Sequence, residues 1–198
     1  MLRRSADIFL DALDLSVSSI IKEALAELDK GFLEKALGLL KPLIDKQNPA
    51  ALFYASSFSL ASEESIKEFE DRRIKQLKLS ASYGYPPAIH ELAVHYDSGE
   101  LVSRNKEQAA QLFKQAAEKG HPHAQWIYGL DLLYGSNGIE KDENLGIAYI
   151  KRSAHSKFEG ALESISKFYE AGEYGFPVDT NKAQSFRNQI NDKDVLGY

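Results

Sequence analysis

One pattern returns three times along the chain, at intervals of 36 and 37 residues. Ala88-x-x-x-Leu92-Ala93-x-x-Tyr96-x-x-Gly99 recurs as Ala124-x-x-x-Tyr128-Gly129-x-x-Leu132-x-x-Gly135 and again as Ala161-x-x-x-Ile165-Ser166-x-x-Tyr169-x-x-Gly172. Another step of 37 residues toward the N-terminus reaches a weaker copy, Ala51-x-x-x-Ala55-Ser56-x-x-Ser59-x-x-Ser62. A fixed period of this size marks stacked supersecondary units rather than one globular core. Such stacks offer extended surfaces to other molecules and seldom enclose a catalytic pocket, so the pattern bears on function as well as on fold.

Each period reads as two helices. In residues 86–120, Pro86 and Pro87 suit a helix start, where a missing N–H is harmless. Ala88, Leu92, Ala93 and Tyr96 follow at helical spacing, and Gly99 ends that helix. Asn105 is placed to cap the next, which runs through Ala109, Ala110, Phe113, Ala116 and Ala117 to Gly120. The same grammar gives Pro122 to Gly135 with cap Asp142, and Ala161 to Gly172 with cap Asn181. Small residues permit helices to approach at the close end of the usual range of about 8–10 Å.

Upstream, Ile20, Ile21, Ala24, Leu25 and Leu28 form one amphipathic stripe. Ala36, Leu37, Leu40, Leu43 and Ile44 form another, interrupted by Pro42. The expected organisation is an N-terminal cap and helical hairpin over 1–48, about four repeats over 49–190, and a flexible tail over 191–198. A short amphipathic helix is expected over residues 5–15.

Charge and composition narrow the function classes. The net charge of −5, spread evenly along the chain, implies no general affinity for nucleic acid. The lack of cysteine rules out disulfides and thiolate chemistry. No stretch approaches the roughly 18 apolar residues that a membrane-spanning helix needs, so no membrane insertion is expected. Met1-Leu2-Arg3-Arg4 imitates the start of a leader, but Asp7, Asp11 and Asp14 break any apolar run behind it. The chain is expected in the cytoplasm, or in the periplasm if a leader has been removed.

No catalytic or cofactor motif stands out. The five histidines lack metal-ligand spacing: His90 and His95 fall on different helix faces, and His121 and His123 flank Pro122 at a turn. The glycine pairs at 135/138 and 172/175 read as turns rather than a phosphate cradle. The mixed-charge run from Glu63 to Lys75 reads as a solvated helix face. No metal, cofactor or catalytic residue is therefore expected.

Residues 86–190 resemble Sel-1-like repeats, relatives of the tetratricopeptide repeat. The likeness rests on Gly135-x-x-Gly138-Ile139-x-x-Asp142, on Gly172-x-x-Gly175-x-x-Val178 and on Ala116-Ala117-x-x-Gly120. Residues 17–48 are more like a tetratricopeptide unit. Ala93 and Ser166 depart from the first-helix glycine of that pattern, and Gly146, Lys157 and Ser185 weaken second-helix positions.

The resemblance implies an all-α, right-handed α-solenoid of about five stacked hairpins, a bacterial source, and action as a non-catalytic adaptor or regulatory scaffold. The partner would be another protein or a peptide segment. An alternative role is an immunity protein that neutralises a cognate toxin. In such solenoids the first helix of each unit lines the concave face. That register assigns partner binding to Phe53, Leu60, His90, Val94, Asp97, Trp126, Leu130, Leu133, Glu163, Lys167 and Glu170. Trp126 is either the centre of an apolar patch with a charged rim or ordinary core.

Overall fold

The computed structural model describes residues 14–59 and 64–191, with side chains to Ile190. Ten helices hold 74% of these residues, and no strand occurs among them. In chain order they are α1 (Leu15–Asp29), α2 (Leu33–Asp45), α3 (Pro49–Ala55), α4 (Ile66–Ser82) and α5 (Pro86–Ser98), then α6 (Lys106–Glu118), α7 (Pro122–Tyr134), α8 (Glu143–His155), α9 (Glu159–Ala171) and α10 (Thr180–Asn191). The chain divides into two compact units between Asn105 and Lys106. The short helix expected over 5–15 lies outside the described residues except for Asp14 and Leu15. The tail expected over 191–198 lies outside them beyond Asn191.

In the first unit α1 pairs with α2, α3 with α4, and α4 with α5. Asp14 caps α1 by accepting from the Ser16 amide at 2.9 Å. Pro42 does not interrupt α2, which runs through it to Asp45. Ile21, Leu40, Leu43, Phe53, Leu77 and Tyr85 form the core.

In the second unit α7 pairs with α8 and α9 with α10. Leu133, Ile147, Ile150, Leu162, Ile165 and Phe168 form its core. The α7–α8 crossing is set by two glycines. A Cβ on Gly146 would lie 2.7 Å from the Gly129 carbonyl oxygen, and one on Gly129 would lie 2.8 Å from Ile150. Gly146, which weakens the second helix by propensity, is thus required by the packing.

Three contacts recur with the sequence period. Gly99, Gly135 and Gly172 end α5, α7 and α9 in the left-handed region. The amides of Asn105, Asp142 and Asp179 each donate 2.8 Å back to the first helix, to the carbonyls of Tyr96, Leu132 and Tyr169. Ser80 Oγ donates to the Pro49 carbonyl and Ser153 Oγ to the Pro122 carbonyl, both at 2.7 Å. The cap of α10 is Asp179, whose carboxylate accepts from the Lys182 amide at 2.9 Å. Asn181, expected as that cap, lies inside α10 instead, because the tie to Tyr169 starts the helix two residues earlier.

The mixed-charge run is not simply a solvated face. Arg72 donates to the Ala55 carbonyl at 3.0 Å and to the Phe58 carbonyl at 2.8 Å, and its Nε reaches Glu64 at 2.7 Å. Arg73 pairs with the buried Glu91 at 2.7 Å. Arg72 thus closes the end of α3, where the Ala55 carbonyl has no backbone partner in the helix, and Arg73 ties α4 to α5.

Candidate functional site

An aromatic surface lies in the second unit, where a hydrogen bond joins α7 to α9. α7 begins at Pro122, and its first turns carry His123, Trp126 and Leu130, all half-buried. The spacing of three and four residues keeps them on one side of the helix. Trp126 Nε1 donates to Ser164 Oγ on α9 at 3.0 Å, and Ser164 Oγ donates in turn to the Gly160 carbonyl at 2.7 Å. Gly160 leaves the room for this. A Cβ there would stand 3.1 Å from the indole and 2.9 Å from the Phe158 ring.

Phe158, the N-cap of α9, completes an aromatic platform. Its ring stacks on His123 at 4.7 Å and meets Trp126 at 5.6 Å, while His123 and Trp126 stand 5.9 Å apart. Burial holds the His123 imidazole below its ordinary pKa, so it sits in this stack uncharged at neutral pH. Neighbouring His121 is pushed down to about 3, by burial first and then by the charge of His123. Its Nδ1 accepts from the Ala124 amide at 3.3 Å and caps α7.

Charged side chains stand exposed on α9. On α9, Lys167 pairs with Glu163 at 2.7 Å, and Glu170 meets Arg187 of α10 at 2.5 Å. These pairs are largely exposed, and each contributes about 1 kcal/mol or less. Their use is to make that surface of α9 polar.

The residues expected to bind a partner do not share one fate. Trp126 and Leu130 are brought together on α7, and Glu163, Lys167 and Glu170 are exposed on α9. Trp126 meets both alternatives in part: it packs on the core and keeps an exposed edge. Leu133 is core, at 1% exposure, because it sits where α7 crosses α8 and packs with Ile147 and Ile150. Phe53 is core at 2%: α3 is buried from Ala50 to Ala55, and the ring lies edge-on to Tyr54 and Tyr85. Neither is available to a partner. Leu60 lies outside the described residues. On α5 of the first unit, Val94 and Asp97 are exposed and His90 is half-buried.

Sequence reasoning missed His123, Phe158, Gly160 and Ser164. The one signal for them was the three-residue spacing of His123 and Trp126 on the first turn of a helix. Among the described residues no group of three His, Asp or Glu side chains is placed to hold a metal. No helix among them is long and apolar enough to cross a membrane.

The family model for the Sel1 repeat matches residues 86–121 and 122–157. Residues 86–157 thus match two consecutive Sel1 repeats. Among solved structures, a Sel1 repeat protein from Oxalobacter formigenes aligns over 87% of this chain and 69% of its own, with TM-score 0.70 and 24% identity. A protective antigen of uropathogenic Escherichia coli strains, displaying an SLR fold, aligns over 79% of this chain and 33% of its own, with TM-score 0.64 and 24% identity. These two establish the all-α solenoid fold.

Sequence relatives of this Sel1-like chain include the chitin synthase regulator SKT5 of Malassezia restricta, 27% identical over 118 residues, or 57% of this chain and 8% of the relative. Chitin synthase regulatory factor 2 of Schizosaccharomyces pombe is 30% identical over 107 residues, or 54% and 21%. The chain spans under a quarter of the length of these relatives. They are fungal and the solved structures are bacterial, so the comparisons do not support the bacterial source that the resemblance implied.

Proposed function

We propose that this Sel1-like chain is a non-catalytic protein-binding module, an adaptor or regulatory scaffold that works in the cytoplasm and holds a partner segment on its first helices. The observation that carries the reading is the fixed Trp126. Its indole is anchored by Ser164 and backed by Phe158 and Gly160, yet keeps an exposed edge beside Leu130. A large ring immobilised before contact loses little further entropy on binding, and such anchors inside a polar rim dominate many interfaces. Glu163, Lys167 and Glu170 supply that rim. His90, Val94 and Asp97 on α5 form a separate, smaller patch of the first unit. Regulator names among the fungal relatives support a regulatory role over a catalytic one.

Affinity purification of the tagged chain from its native host, followed by mass spectrometry, identifies the partner. Wild type is expected to retain it, and Trp126→Ala to bind at least about 30-fold more weakly, the scale of a hot-spot residue. Equal retention of the partner by the variant would refute the assignment. A tight one-to-one complex with a toxin would turn the reading to an immunity protein.

A further inference from the structure

One position of the repeat is buried in every faithful copy and yet differs in chemistry each time. His95, Asp131 and Phe168 occupy it, at 3%, 5% and 5% exposure. Each reaches into the loop that follows its own helix. Asp131 Oδ1 accepts from Ser136 Oγ at 2.6 Å and from Asn137 Nδ2 at 2.8 Å. Phe168 meets the Tyr174 ring edge-on at 4.9 Å and Phe176 at 5.6 Å. Both loops are held by contacts that are complete as they stand, one polar and one aromatic.

The third is not complete. His95 Nδ1 stands 3.7 Å from Glu100 Oε2 in the loop, and Nε2 stands 3.8 Å from Glu91 Oε1 one turn back on α5. Both distances allow charge attraction and exceed a hydrogen bond. Both ring nitrogens are buried without a hydrogen-bond partner. So is Glu91 Oε2, while Glu91 Oε1 accepts from Arg73 of α4 at 2.7 Å. Burial alone would raise the Glu91 pKa, but His95 and Arg73 outweigh it and hold the carboxyl ionised.

A neutral imidazole has one N–H, so with a carboxylate on each side its bare nitrogen always faces negative charge. An imidazolium has two N–H groups and can donate to both. The local charge supports the same form. Arg73, Glu91 and Glu100 sum to one negative charge, which a proton on His95 cancels.

We propose that His95 is a proton-controlled latch on the loop between α5 and α6. With its proton it ties Glu100 to α5, and without it Glu100 and residues 101–103 come free. The ends of the loop stay tied in either state, by the Gly99 amide to the His95 carbonyl at 2.9 Å and the Asn105 amide to the Tyr96 carbonyl at 2.8 Å. Only the segment between them responds. Acid therefore closes the latch and base opens it. The neighbouring Sel1 loops, held by Asp131 and Phe168 through complete contacts, lack the device.

The test is nuclear magnetic resonance on the full chain between about pH 5 and pH 8, reading the ring nitrogens of His95 and the exchange of the 101–103 amides corrected for intrinsic rate. Both nitrogens should carry protons at the acid end. Protection of the three amides should fall about fivefold as pH rises, the scale of one partly exposed ion pair. Glu100→Gln, at an exposed side chain, should abolish the pH dependence of the loop. His95→Phe, the residue type at the equivalent position 168, should give protection that does not vary with pH. A singly protonated imidazole throughout, flat protection in wild type, or an unchanged loop response in Glu100→Gln would overturn the proposal.

Discussion

In both the 49–84 hairpin and the 122–157 hairpin, a second-helix serine donates at 2.7 Å to the carbonyl of the proline that opens the first helix. An Asn or His side chain just before that proline caps the first helix, Asn48 to Ala51 at 3.1 Å and His121 to Ala124 at 3.3 Å. The far ends of the two hairpins differ. α7 has 13 residues and ends in left-handed Gly135, whereas α3 has seven and ends at Ser56. There the Arg72 guanidinium takes the Ala55 carbonyl, the last of α3, and the Phe58 carbonyl beyond it. These two hairpins therefore share their turn end and differ at their loop end.

The largest expected effect tests the crossing that only the faithful hairpin has. Gly146→Val places a side chain 2.7 Å or less from the Gly129 carbonyl and should cost ~3 kcal/mol in chemical denaturation. The position equivalent to Gly129 in 49–84 is Ser56, which already carries a Cβ. Ser56→Ala should lose only ~1 kcal/mol, that of its hydroxyl bond to the Phe53 carbonyl. Similar losses at both sites would break the comparison.

Next comes the substitute cap. Arg72→Met keeps the length of the stem but removes the guanidinium from Glu64 and from two carbonyls, for an expected loss of ~2 kcal/mol. The pair is partly exposed, which keeps the figure below that of a buried ion pair. An unaltered melting temperature would show that α3 ends without help.

The two caps differ in their response to acid. A folded-state His121 pKa of about 3, below the unfolded 6.5, means that the unfolded chain takes up the proton first. Stability is then intact above the unfolded value and falls as pH drops below it, by ~2 kcal/mol at about pH 5. His121→Asn copies the Asn48 cap and should remove that part of the acid sensitivity. Denaturation curves at about pH 7.5 and pH 5 measure both, and an equal acid loss in the variant would refute the assignment.

The smallest effect lies at the turn joining neighbouring hairpins, where Gln47, Gly84, Gly120 and Lys157 all have positive φ. Lys157 holds φ +60 with a side chain attached, so Lys157→Gly should gain ~0.5–1 kcal/mol. Gly120, at φ +88 with open space around it, should lose a similar amount on change to Ala. A loss at 157 would show that its Nζ bond to Gln189 outweighs the strain.

The parts of the fold legible in the sequence are those that one residue type alone can perform. Left-handed turns after α5, α7 and α9 take glycine, close crossings take Ala or Gly, and the first helical position tolerates proline, so these recur visibly at Gly99, Ala88 and Pro86. The rest rests on contacts that several chemistries satisfy. Arg72 closes the end of α3 from another helix, and His95, Asp131 and Phe168 hold equivalent loops in three different ways. Helical spacing placed Trp126 and Leu130 on an outward face and could not tell them from Leu133, because burial there depends on where α8 crosses. Phe53 was misread because α3 is buried on all sides, from Ala50 to Ala55. Ser164 and Gly160 were invisible because their role is defined only by the indole that lies on them.

The most direct test of the account is a hydrogen-exchange footprint of the captured partner on the full chain. Binding should slow exchange on α7 and α9, around Trp126, Leu130, Ser164 and Lys167, and leave α8 and α10 unchanged. Protection confined to α8 and α10, with Trp126 unaffected, would contradict the claim that this Sel1-like chain holds its partner on its first helices.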